Sequence, residues 1–124
     1  MADTKKEKLE NYLGKLLASG DIEGAAVVTR DGLLVASALS KGIDAETLAA
    51  MTATMEGAAE TAMKELKKKD VVRVIVETAD TKLITTGAGE DMILVCMVGA
   101  KAKLGLILMA MKKTAGQIAK EVGK

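Results

Sequence analysis

Few side chains in this 124-residue chain have types and spacing that could do chemistry, and each has a plainer reading. Histidine is absent, which removes the commonest general base and metal ligand. The one cysteine, Cys96, lies in the apolar run of residues 92–98 with no imidazole to activate it. That is the setting of a buried structural thiol rather than a nucleophile. Glu90 and Asp91 are adjacent carboxylates, but they follow Gly87-Ala88-Gly89 in a turn, where solvent rather than an acid/base partner is expected. The Gly-Ala-Gly run also lacks the Gly-Lys-Ser/Thr and following helix that cradle a phosphate. Lys101 and Lys103 precede the start of a helix, a place where an anion can bind, but that signal is weak and a solvated loop is the favoured reading. Arg30 and Arg73 are the only arginines. A chain that lent an arginine to a GTPase in trans would have to use one of them; an ordinary solubilising role explains both. No carboxylates or thiol stand at metal-ligand spacing. The expectation is a protein that is not an enzyme, with no catalytic residue, no cofactor and no metal.

The composition narrows the class further. The length is that of one domain, 1–124, and the 49% of hydrophobic residues is enough for a real core. Phe, Trp and Pro are missing and Tyr12 is the sole aromatic, so aliphatic residues and eight Met must fill the interior. A net charge of +1 with no aromatic platforms argues against nucleic acid as a partner. The longest apolar run, residues 104–111, is far too short for a membrane span, so no membrane insertion is expected. The charged opening residues are not followed by an apolar stretch, which predicts no signal peptide. A lone cysteine suits a reducing, cytoplasmic setting.

The elements that must position any site follow from periodicity. Thr4 and Glu7 have capping-box spacing, and Leu9, Tyr12, Leu13, Leu16 and Leu17 then form one stripe of a helix that Gly20 ends. Residues 25–30 and 33–38 are β-prone and joined by Asp31-Gly32, a strong hairpin signal. Asp44 caps a second helix, predicted to run to Lys69. Residues 71–78, 81–86 and 92–98 read as strands, the last buried on both faces. A final helix runs from Leu104 to about Val122. The short strand connections predict an α+β fold: a five-stranded antiparallel sheet with helices on both faces, in the order α-β-β-α-β-β-β-α.

The second helix is the most informative element. At about 100° per residue, Leu48, Met51, Met55, Ala59, Ala62 and Leu66 fall on one stripe, suited to covering the sheet. Nearly opposite lie Ala50, Ala53, Thr54, Gly57 and Thr61, small and uncharged where Lys and Glu would be usual. Small side chains let helices approach closely. Gly57 costs about 1 kcal/mol against Ala in mid-helix, which contact with a neighbour would explain. This stripe is expected to meet another helix, a second copy of this chain being the simplest source; an Ala-rich solvated face is the plainer alternative.

Three stretches together resemble the roadblock/LC7 domain family, in its MglB-like and dynein-light-chain branches. They are the hairpin IEGAAVVTRDGLLVAS of residues 22–37, the Ala-rich helix of residues 44–69, and Leu104-Gly105-Leu106-Ile107 opening an amphipathic helix. The likeness spans about residues 8–122. It implies a homodimer, or a heterodimer with a paralogue, formed through the central helix and the neighbouring strand so that two sheets join as ten strands. It further implies a scaffold for protein binding that regulates a Ras-like small GTPase. The matching interface positions would be Ala50, Ala53, Thr54, Gly57 and Thr61 on the helix and Val71, Arg73, Ile75 and Glu77 on the strand. Charged Arg73 and Glu77 could discourage edge pairing, or meet each other across a two-fold axis. The same layout occurs in profilin-like and longin-like domains, which keeps open a small-molecule sensor or scaffold. Against that stands a core with few polar groups beyond Thr52, Thr85 and Cys96.

Overall fold

The computed structural model describes residues 4–123, so the signal-peptide expectation for the opening residues falls partly outside it. Helix α1 (Lys5–Ala18) begins as its sequence dictates. The Thr4 hydroxyl accepts from the Glu7 N–H at 3.1 Å, and the Glu7 carboxylate accepts in return from the Thr4 N–H. Its Leu9, Leu13 and Leu16 are buried and Tyr12 is half-buried against them.

Strands β1 (Ile22–Thr29) and β2 (Leu34–Ala38) form the first hairpin, with β1 starting three residues earlier than periodicity suggests. The link is longer than a two-residue Asp-Gly turn. Gly32 N–H donates to the Thr29 carbonyl and Thr29 N–H to the Leu33 carbonyl, with only Gly32 at positive φ (+93°). Asp31 therefore keeps an ordinary backbone and glycine alone supplies the left-handed step.

Helix α2 (Ala45–Glu65) is capped by Asp44, whose carboxylate accepts from the Thr47 N–H at 3.1 Å. It ends before the lysine triplet, which was expected to form its last turn. Lys67 adopts φ +57°, its N–H donates to the Lys64 carbonyl, and the Lys68 N–H reaches the Met63 carbonyl. That paired closure terminates the helix and turns Lys67, Lys68 and Lys69 out into solvent. Strands β3 (Arg73–Glu77), β4 (Thr81–Gly87) and β5 (Met92–Gly99) follow, then α3 (Leu104–Val122). Val71 and Thr78 lie just outside β3.

The five strands form one antiparallel sheet in the order β2-β1-β5-β4-β3. β5 sits at its centre and is buried on both faces, as its unbroken apolar run requires. Helices α1 and α3 pack together on one face and bury most of the core: the α1 leucines, Val27, Ile84, Leu94, Cys96, Met111 and Ile118. Helix α2 lies alone on the other, over a thinner cluster of Ala26, Val28, Ala49, Ile93 and Val95.

Candidate interaction surface

The rotation of α2 about its axis decides which side chains face outward, and it differs from the sequence expectation by about a quarter-turn. Ala49, Thr52 and Glu56 face the sheet fully buried. Leu48, Met55 and Ala59 are half-buried flankers. Met51 (53% exposed), Ala62 and Leu66 (61% exposed), expected against the sheet, point to solvent instead. The reason is polar. The Thr85 hydroxyl donates to Glu56 Oε1 at 2.6 Å, and Thr85 Oγ1 in turn accepts from the Val74 N–H of β3 at 3.1 Å. A chain of hydrogen bonds thus ties the middle of α2 through β4 to β3. Thr52 Oγ1, one turn earlier on the same side, is buried with no partner.

This inward polar stripe leaves the outer side with little charge. Ala50, Thr54, Gly57 and Thr61 are exposed, and the same surface is widened by Met51 and Ala62, expected against the sheet, and by Ala58, which was not singled out from the sequence. The Thr54 hydroxyl is spent inside the helix, donating to the Ala50 carbonyl at 2.9 Å. Nothing lies within 4 Å of where a Gly57 Cβ would stand. Ala53 is the exception among the expected positions: it is half-buried, facing Gly32 of the first hairpin.

Of the strand positions, Arg73 and Glu77 are exposed, Val71 is half-buried, and Ile75 packs into the core under α1 and α3. β3 is the last strand of the sheet, so its outer backbone edge has no strand beyond it. On the α2 face, Val76, Leu83 and Met97 form a cross-strand apolar row leading from that edge inward, with Val76 exposed and the other two half-covered.

Arg30 has a more specific setting than either reading of it from the sequence. Its Nε donates to the Glu90 carbonyl at 2.7 Å and its Nη1 pairs with Glu60 Oε2 at 2.9 Å. The guanidinium thereby clamps the first hairpin to the β4–β5 turn and to α2, and Glu90 contributes backbone rather than side chain. Cys96 is buried, and desolvation pushes its thiol up to about 12, far from a reactive thiolate. Among the described residues no group of three or more His, Cys, Asp or Glu could hold a metal ion, and no helix is long and apolar enough to cross a membrane.

With this geometry in view, the comparisons with known proteins fall into line. An uncharacterized protein of Methanocaldococcus jannaschii is 36% identical over 110 residues, spanning 89% of this chain and 92% of its own length. Myxococcus xanthus MglB superposes with a TM-score of 0.88 at 24% identity, covering 97% of this chain and 91% of that one. A roadblock/LC7 domain from Streptomyces avermitilis also gives 0.88, at 19% identity over 93% of this chain and 98% of its own. At such identities the two structures speak for the fold alone. The sequence pattern of the Roadblock/LC7 domain matches residues 8–97 directly, and the chain belongs to the roadblock/LC7 domain family.

Proposed function

We propose that this protein is a non-enzymatic, cytoplasmic interaction platform: a homodimer built on the outer face of α2 and the open edge of β3, which binds a Ras-like small GTPase and biases its nucleotide state. The observation that carries the reading is the exposed, nearly uncharged side of α2 around Gly57, a surface that a lone helix in water has no reason to keep free of Lys and Glu. Antiparallel pairing of two β3 edges would join the sheets and satisfy their outer backbone groups. The row of Val76, Leu83 and Met97 would be covered at the same time. Family membership and the fold shared with MglB support the same reading.

Regulation requires that the platform hold the GTP-bound and GDP-bound forms with different affinity; equal binding would make it a scaffold only. The experiment has two arms. In sedimentation or light scattering, the wild-type chain is expected at twice the monomer mass and Gly57→Arg at the monomer mass with unchanged circular dichroism, because the added side chain meets open space in the monomer. An intact dimer in the variant, or a monomeric wild type, overturns the interface. Titration with a Ras-like GTPase loaded with GDP or a non-hydrolysable GTP analogue is expected to give two different affinities; no binding to either overturns the partner.

A further inference from the structure

Residues 100–120 contain five lysines and no acidic residue. All five, Lys101, Lys103, Lys112, Lys113 and Lys120, are exposed, and the ion pairs Lys8–Glu121 and Arg30–Glu60 leave them out. They are not spread at random around α3. Its inner stripe of Ile107, Met111, Ala115 and Ile118 is buried on the sheet, so the remaining arc faces outward. On that arc stand Leu106 (63% exposed) and Met109 (71% exposed), bracketed along the helix axis by lysines on both sides. Gly116 flattens the stripe further on, leaving a shallow open surface with Lys112, Lys113 and Lys120 around it.

Beside it a slot of about 360 Å³ opens between α3 and the start of β3, with Val72 (67% exposed), Leu108 and Met109 as apolar walls and Arg73 and Lys112 as cations. On the opposite face of the sheet the exposed charges of α2 are mixed: Glu46, Glu60 and Glu65 stand with Lys64, and Glu60 is paired with Arg30.

We propose that the outer face of α3 is a peripheral docking surface for an anionic phospholipid membrane. The charge is complementary to phosphate headgroups, and the lysine stems can lie along the surface while their ammonium groups reach phosphates. Leu106 and Met109 enter the headgroup boundary, as the apolar side of an interfacial helix does. The surface around Met109 and Gly116 is shallow and open, which suits a plane. Binding is reversible, since two apolar anchors and a basic patch fall well short of an inserted helix. The outer face of α2, on the other side of the sheet, is then directed away from the membrane, where it stays open to other contacts.

The test uses the whole chain alone, so its failure leaves the dimer and GTPase readings untouched. The protein is expected to co-sediment with phosphatidylglycerol vesicles at low salt, to stay in solution with phosphatidylcholine vesicles, and to be released as salt rises to about 0.5 M. Lys112→Glu with Lys113→Glu is expected to weaken association at least about tenfold. Leu106→Ser with Met109→Ser is expected to weaken it by a smaller factor at unchanged charge. All four side chains are exposed, so folding is preserved and circular dichroism verifies it. No association with phosphatidylglycerol overturns the proposal, including the case in which an acidic protein is what the face receives. So does equal association of the charge-reversed variant or of neutral vesicles.

Discussion

The two faces of the sheet are built on different principles. Under α1 and α3, long aliphatic side chains interlock: Leu9, Leu13, Leu16, Leu94, Met111 and Ile118 bury themselves among one another with hardly a polar atom between them. Under α2 the aliphatic cluster of Val28, Ile93 and Val95 is thinner, and the helix meets it with small or polar side chains: Ala49, Thr52 and Glu56, the last bonded to Thr85. Helix α1 is thus held by apolar area, whereas α2 adds to a smaller apolar contact a directional hydrogen bond from Thr85 to Glu56. The inner side of α2 fixes its place on the sheet, and its outer side is left for something other than stability. That is the division of labour between scaffold and working face.

This contrast can be tested from its strong side to its weak side. Leu13→Ala empties part of the large cluster and is expected to lower unfolding free energy by about 3 kcal/mol in urea titrations. A loss below about 1 kcal/mol would mean that this face is not the main source of stability. Thr85→Val removes the donor to Glu56 and the acceptor for the Val74 N–H together. It should cost about 2 kcal/mol, with faster amide exchange in α2 and β3 and little change in α1. Uniform acceleration across all three helices would show that α2 is not a separately held element.

Thr52→Val works in the other direction. It deletes a buried hydroxyl that has no partner and keeps the volume, so stability is expected to rise by about 1 kcal/mol. The smallest effect concerns Asp44, whose carboxyl is held below its ordinary value of 3.8, first by the Thr47 N–H and then by the Thr47 hydroxyl. A carboxylate depressed in the fold stabilises above its unfolded value and loses that contribution as pH falls through the folded one. Asp44→Asn keeps a capping oxygen. Its melting temperature should accordingly fall less than that of the wild type between about pH 6 and about pH 3.

Much of the architecture was legible in the sequence because it rests on strong local signals. Thr4 and Glu7 state where α1 begins, the unbroken run of β5 states that it is central, and Asp44 states where α2 starts. The rotation of α2 was not legible. Ala, Thr and Met occur all round it, so apolar periodicity has no sharp phase, and the side facing the sheet carries the very residue types that pattern rules place in water. Glu56 gives itself away only through Thr85, twenty-nine residues distant and on another strand. The alignment of Thr52 and Glu56 with Ala45, Ala49 and Met63 was the available hint. The end of α2 was missed because a lysine, rather than glycine, takes the left-handed position. The role of Arg30 depends on a backbone carbonyl sixty residues away, which side-chain spacing cannot reveal.

Tyr12, half-buried where α1 meets the core, has a practical corollary. With no tryptophan or phenylalanine in the chain, its phenol ring is the only near-ultraviolet chromophore of any strength. Intrinsic emission and near-ultraviolet dichroism consequently watch the leucine-rich side alone and are blind to events on the opposite layer. A ligand that rearranged only that layer would leave the optical record flat, and an introduced dye there would be required to see it.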